Sequence, residues 1–109
     1  MSEQTTQSRP CPIADEVIAT LRAHEAELRA AGIKRLSLFG SVARGDAGPE
    51  SDVELAVVLD PAAHIGLIGL SALERQIGDL IGHDVNLVPE PVESRHLREY
   101  IDRNRKLVF

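Results

Sequence analysis

Two carboxylates stand at alternate positions of an apolar run, Asp52-Val53-Glu54-Leu55-Ala56-Val57-Val58-Leu59. They lie a short loop beyond a Gly-Ser step, Leu36-Ser37-Leu38-Phe39-Gly40-Ser41. Side chains two apart on a strand share a face, roughly 7 Å apart along the backbone. Asp52 and Glu54 should therefore face the same way, at a strand start where a loop can admit a ligand. Two carboxylates so placed repel each other unless a cation sits between them. Mg²⁺ suits the position, being a hard ion that takes oxygen ligands and shares itself with phosphate oxygens. Glycine at position 40 lets the backbone approach a phosphate closely. If a helical turn begins at Ser41, its free N–H groups and the hydroxyl face the anion. Arg44 is within reach of the same loop and can hold a triphosphate oxygen. The pattern reads as a phosphate cradle followed by a metal-binding strand, the two parts that nucleotidyl transfer needs.

The elements that must position these residues follow from periodicity. Residues 1–10 are polar and aperiodic and read as a disordered tail, leaving 11–109 as one domain. Pro12 suits a first helical turn, and Ile13, Val17, Ile18, Leu21 and Leu28 recur at helical spacing to about residue 31. Gly32 is then a plausible C-cap. Ile33 to Phe39 reads as a strand, Gly40 to Glu50 as a loop, and Asp52 to Leu59 as an interior strand covered on both faces. His64 to Gly82 is helical in pattern, with Ile65, Ile68, Leu73, Ile77, Leu80 and Ile81 apolar. Asp84-Val85-Asn86-Leu87-Val88 is a third strand, and Glu93 to about Arg105 a last helix with Leu97, Tyr100 and Ile101 on one side. The order predicts an α/β (α+β) fold, a small mixed β-sheet packed by helices.

Composition narrows the function classes. Aromatic residues are only 3% of the chain, so the core must be aliphatic. A net charge of −5 argues against a nucleic-acid partner, which usually meets a basic face. It leaves room for a nucleotide bound through a cation. No apolar stretch reaches the ~18 residues of a membrane span, and no signal peptide is evident. The single cysteine, Cys11, makes no internal disulfide, and a reduced cytoplasm is the simplest setting. His24, His64, His83 and His96 lack metal-ligand spacing; His83, beside the third strand, is of interest only as a substitute base. Arg95, Arg98, Arg103, Arg105 and Lys106 read as a solvated or partner-meeting face of the last helix. P-loop and dinucleotide fingerprints are absent.

The run Gly40-Ser41-Val42-Ala43-Arg44-Gly45-Asp46-Ala47-Gly48-Pro49-Glu50-Ser51-Asp52-Val53-Glu54-Leu55 resembles the signature of the minimal nucleotidyltransferases of the DNA polymerase beta-like superfamily. The resemblance extends over about residues 13–109. It implies the polymerase beta-like fold, Gly40 and Ser41 on the triphosphate of ATP, and Asp52 and Glu54 on Mg²⁺, with room for two metals. It also implies a context: family members are often antitoxins beside a HEPN-type ribonuclease toxin, transferring AMP from ATP to a toxin tyrosine.

Two positions depart from that pattern. The family's second carboxylate is Asp, and here it is Glu54. The third acidic position aligns with Asn86, whose amide accepts a hydrogen bond but takes no proton. Asp84, two residues earlier, is the candidate for a relocated acid. An active protein adenylyltransferase is therefore one reading. The other is a degenerate relative, a binding module or nucleotide sensor that neutralises its partner by occlusion. An exposed edge strand would suit a homodimer or a heterocomplex.

Overall fold

The computed structural model describes residues 11–109, so the expected tail over 1–10 lies outside the described residues. Helix α1 spans Ala14–Ala23, with Asp15 and Glu16 in its first turn and Arg22 in its last, each on the side its dipole favours. The single helix expected to residue 31 is divided. His24 leaves the helical region at φ −110°, and α2 runs Glu25–Ala30. The Glu27 carboxylate holds the His24 ring at 3.2 Å, and the bend keeps both Leu21 and Leu28 fully buried. Strand β1 is Ile33–Phe39, α3 is Gly40–Arg44 and β2 is Val53–Leu59. Helix α4 is Leu67–Ile81 and β3 is Val85–Pro89. Helix α5, Arg95–Asn104, is capped by Ser94, whose Oγ accepts from the Leu97 N–H at 3.2 Å. A short β4, Lys106–Leu107, closes the chain.

The strands form one mixed sheet in the order β3-β2-β1-β4. Strand β1 runs antiparallel to β2 and β4, and β2 runs parallel to β3 through the α4 crossover. Alternation sorts the side chains. Leu36, Leu38, Val53, Leu55, Val57 and Leu87 turn to the larger core with α1, α2 and α4. Phe39 and Ala56 turn to the other face, where α5 brings Ile101. Strand β2 is buried on both faces from Val53 to Val57 apart from the half-buried Glu54, as an interior strand should be. Burial of each large side chain contributes about 1.5–3 kcal/mol. The aliphatic core follows expectation, with Phe39 the one aromatic side chain that is fully buried.

Further expectations are corrected. The last helix stops at Asn104, so Arg105 and Lys106 are not on it; they lead into β4. Strand β4 itself was unforeseen. The helix expected from His64 starts at Leu67, and Ile68, expected on its apolar face, is 88% exposed beside Leu67. The chain first turns through Pro61–Ala63 and His64 at φ 52°, so the helical register begins only after Gly66. Among the described residues, no helix is long and apolar enough to cross a membrane.

Both sheet edges carry a charged side chain. On β3, the Leu87 N–H faces away from β2 and donates to Glu74 Oε2 at 2.8 Å. On β4, Arg22 donates to the carbonyls of Val108 at 2.7 Å and Leu107 at 3.2 Å. The edge strands expected from the sequence thus each carry a charged side chain at one point of their backbone.

Arg105 ties the C-terminal part to the sheet. Its guanidinium grips Glu90 at 2.5 and 3.0 Å, meets Asp102 at 2.8 Å and donates to the fully buried Ser37 Oγ at 3.2 Å. The Glu90 hydrogen bonds hold its pKa above the ordinary arginine value. Breaking a largely buried pair strands the remaining charge. Arg105→Ala should therefore lower the unfolding free energy by about 2 kcal/mol, a Tm drop on the order of 10 °C. The paired substitution Arg105→Met with Glu90→Leu should recover most of that loss. Urea denaturation of the three proteins checks both statements.

Candidate functional site

The Gly-Ser step sits where β1 passes into α3. Phe39 is extended at φ −145°, Gly40 turns to φ +79°, and α3 runs five residues before Gly45 ends it at φ +86°. Val42 and Ala43 bury into the core and fix the helix to it, leaving Ser41 half-buried and Arg44 on the rim. The positive φ favours glycine, and so does the space. A Cβ at position 40 would overlap the Glu54 carboxylate, standing 2.9 Å from Glu54 Cδ.

The strand register brings the acidic half to the same place. Glu54 pairs with Phe39 on β1 and with Asn86 on β3, so the second carboxylate and the third-position amide are lateral neighbours. Asp52 is exposed, just before β2. Its neighbour Val53 donates its N–H to the Asp84 carbonyl at 2.9 Å. Asp84 therefore stands level with Asp52 as Asn86 stands level with Glu54. Asp52 and Asp84 share a groove of about 880 Å³ with Glu74, Asp79 and His83, against the C-terminal half of α4. His83 Nδ1 is buried there with no hydrogen-bond partner.

Electrostatics follow the geometry. Partial burial pushes the Glu54 carboxyl above the usual glutamate pKa; the Asp52 charge pushes it further, and Arg44 opposes both. Among the described residues no group of three or more His, Cys, Asp or Glu side chains is placed to hold a metal. A cation here would take oxygens from Asp52 and Glu54 and complete its shell from phosphate or water. That is the habit of Mg²⁺, and a cation would also offset the burial that chiefly disfavours the Glu54 charge and the smaller repulsion from Asp52.

Arg44 is held on this rim. It donates through Nη1 to the Tyr100 hydroxyl at 3.2 Å and through Nε to Asp46 at 3.2 Å, with its Cζ 5.7 Å from the Tyr100 ring. The Tyr100 and Asp46 hydrogen bonds hold its pKa above the ordinary value. Tyr100 meets Phe39 edge to face, ring centroids 6.0 Å apart. The expected residues Gly40, Ser41, Arg44, Asp52, Glu54, Asp84 and Asn86 thus gather at one end of the sheet. Tyr100 is the residue that sequence reasoning placed on the apolar side of α5 without a role at the site. No local pattern marks it, because its partner Arg44 lies 56 positions away.

Comparison with known proteins bears on most of the chain. A family model described as a nucleotidyltransferase domain matches residues 21–108. The protein adenylyltransferase MntA of Thermococcus cleftensis is 35% identical over 75 residues, 68% of this chain and 74% of that one. A solved structure described as a minimal nucleotidyltransferase superposes with a TM-score of 0.63 at 34% identity, over 82% of this chain and 93% of that one. A toxin–antitoxin structure with AMP-PNP gives a TM-score of 0.66 at 23% identity, over 83% of this chain and 72% of that one. The complex of tri-AMPylated Shewanella oneidensis HEPN toxin with MNT antitoxin gives 0.60 at 20% identity, over 84% and 71%. At those last two identities the likeness is one of fold.

The raised Glu54 pKa has a sign. Folding disfavours the ionised form, so stability falls as pH rises from the ordinary glutamate value through the raised one. Without divalent cations, Glu54→Gln should melt higher than wild type at pH 8, with the gap closing in acid. Added Mg²⁺ at pH 8 should raise the wild-type Tm and leave Glu54→Gln and Asp52→Asn unmoved. Thermal melts across pH, with and without Mg²⁺, read both effects.

Proposed function

We infer the activity from membership and site together: the chain belongs to the nucleotidyltransferase domain family, and we propose that it moves AMP from ATP to a hydroxyl of a partner protein. The observation that supports the proposal is the meeting of the Gly40-Ser41 turn, Arg44 and the Asp52–Glu54 start of β2 at one end of the sheet. The name of the Thermococcus relative, a protein adenylyltransferase, supports a protein acceptor. The toxin–antitoxin complexes of like fold support a HEPN-type toxin as the partner. Tyrosine as the acceptor rests on the family resemblance, and a cytoplasmic setting suits an ATP-dependent antitoxin.

In this reading Gly40 lets the triphosphate approach the backbone, Ser41 donates its hydroxyl, and Arg44 offers a planar set of N–H donors. Asp52 and Glu54 would hold Mg²⁺, which when bound neutralises charge building on the departing pyrophosphate. The acceptor oxygen bonds to the α-phosphorus as the bond from that phosphorus to pyrophosphate breaks. Asn86 can orient the hydroxyl, yet its amide takes no proton. Asp84, whose backbone pairs beside Asp52, is the candidate for a relocated acid, and in this reading its carboxylate would receive the proton.

A second reading keeps the fold and drops the turnover: the chain occludes its partner or senses nucleotide. The motives are Asn86 and the Glu54 carboxylate lying against Gly40, where a phosphate would come.

Incubation with labelled ATP, Mg²⁺ and the product of the adjacent gene should label that product. Asp52→Ala should abolish the label. Asn86→Asp, restoring a carboxylate at the third position, should raise the rate ~100-fold, the lower end of what a general base supplies. A wild type that labels no better than Asp52→Ala overturns the transfer reading. An Asp52→Ala protein that still suppresses toxicity in cells favours occlusion.

A further inference from the structure

We propose that Tyr100 is a positioning residue for the nucleotide: from α5 it sets both ends of α3, and with them Arg44 and the Gly40-Ser41 step. The inference rests on the nucleotidyltransferase reading and adds to it a residue far from the motif.

Helix α3 has five residues, too few to hold a helical shape by itself. Its middle is fixed by Val42 and Ala43 in the core. Both of its ends touch one side chain, Tyr100. Phe39, the residue before Gly40, lies edge-on to the Tyr100 ring at 6.0 Å. Arg44, the last residue of the helix, donates to the Tyr100 hydroxyl at 3.2 Å and lies 5.7 Å from the ring centre. Tyr100 is itself anchored, since its neighbour Ile101 is fully buried in the cluster that contains Phe39 and Ala56. Tyr100 thus joins α5 to the residues at both termini of α3.

The arrangement leaves donors to spare. Arg44 uses Nε on Asp46 and Nη1 on Tyr100, and Nη2 makes no hydrogen bond among the described residues. A guanidinium held by two neighbours presents its remaining N–H groups without first having to be ordered, which favours bidentate grip on a phosphate. Its charge also acts on Glu54, so Arg44 faces the acidic half of the site as well as α5.

Pre-ordering one long side chain is worth ~2–10-fold in binding. Tyr100→Phe keeps the ring against Phe39 and Arg44 and removes only the hydroxyl. In the labelling assay with full-length protein, it should raise KM for ATP ~3–10-fold, with kcat within ~2-fold and an unchanged Tm. Calorimetric titration with a non-hydrolysable ATP analogue and Mg²⁺ should show the same loss in Kd. In an Arg44→Gln background the Tyr100→Phe change should add nothing. A wild-type KM and Kd in Tyr100→Phe overturns the inference. So does an equal rise in KM with Arg44 already replaced, since that marks a merely structural role. A wild type that binds no ATP analogue overturns the nucleotidyltransferase reading and this inference with it.

Discussion

Position 40 has no side chain, and the two halves of the site meet through that gap. Gly40 turns the chain from β1 into α3 at φ +79°, and its bare face receives the Glu54 carboxylate from the neighbouring strand. Any larger residue would be strained in its backbone and would collide with the strand beside it. The glutamate at position 54, a methylene longer than an aspartate, reaches the turn because nothing stands there. The same closeness leaves the carboxylate partly buried and beside Asp52, which raises its pKa. Geometry and electrostatics at this end of the sheet therefore share one cause.

The sheet divides the work between its faces. One face, with α1, α2 and α4, carries most of the apolar burial and gives the strands their rigidity. The other, under α5, is only partly apolar and carries Glu54 and Asn86 in one row across β2 and β3. Helix α5 is held to that second face by Ile101 at its middle and by Arg105 at its end, which reaches Glu90 past β3 and Ser37 on β1. The tie is polar and directional, so it sets where α5 lies as well as how tightly.

How far the sequence foretold this depends on the range of the interaction. The Gly40-Ser41 step and the Asp52-Glu54 alternation were legible, because residue type and strand period are local properties. The mixed sheet and the interior character of β2 followed from apolar runs and the α4 crossover. The break at His24 was hidden, because Leu21 and Leu28 keep helical spacing across it. Strand β4 was hidden too: two residues have no period, and they are a strand only because Ser37 and Leu38 of β1 lie alongside. Arg105 looked like one more cation on a helix until the fold placed Glu90 beside it. Tyr100 gained its place from a partner far away in the chain. What the sequence withheld was pairing between distant segments, and that pairing holds the site's rim.

The charged side chains on the outer strands have a consequence for growth. A bare outer strand can template another chain onto itself, and repeated templating makes a fibre. Here Glu74 already occupies the outward N–H of Leu87, and Arg22 the outward carbonyl of Leu107. An incoming strand would have to displace an anion on one side and a cation on the other.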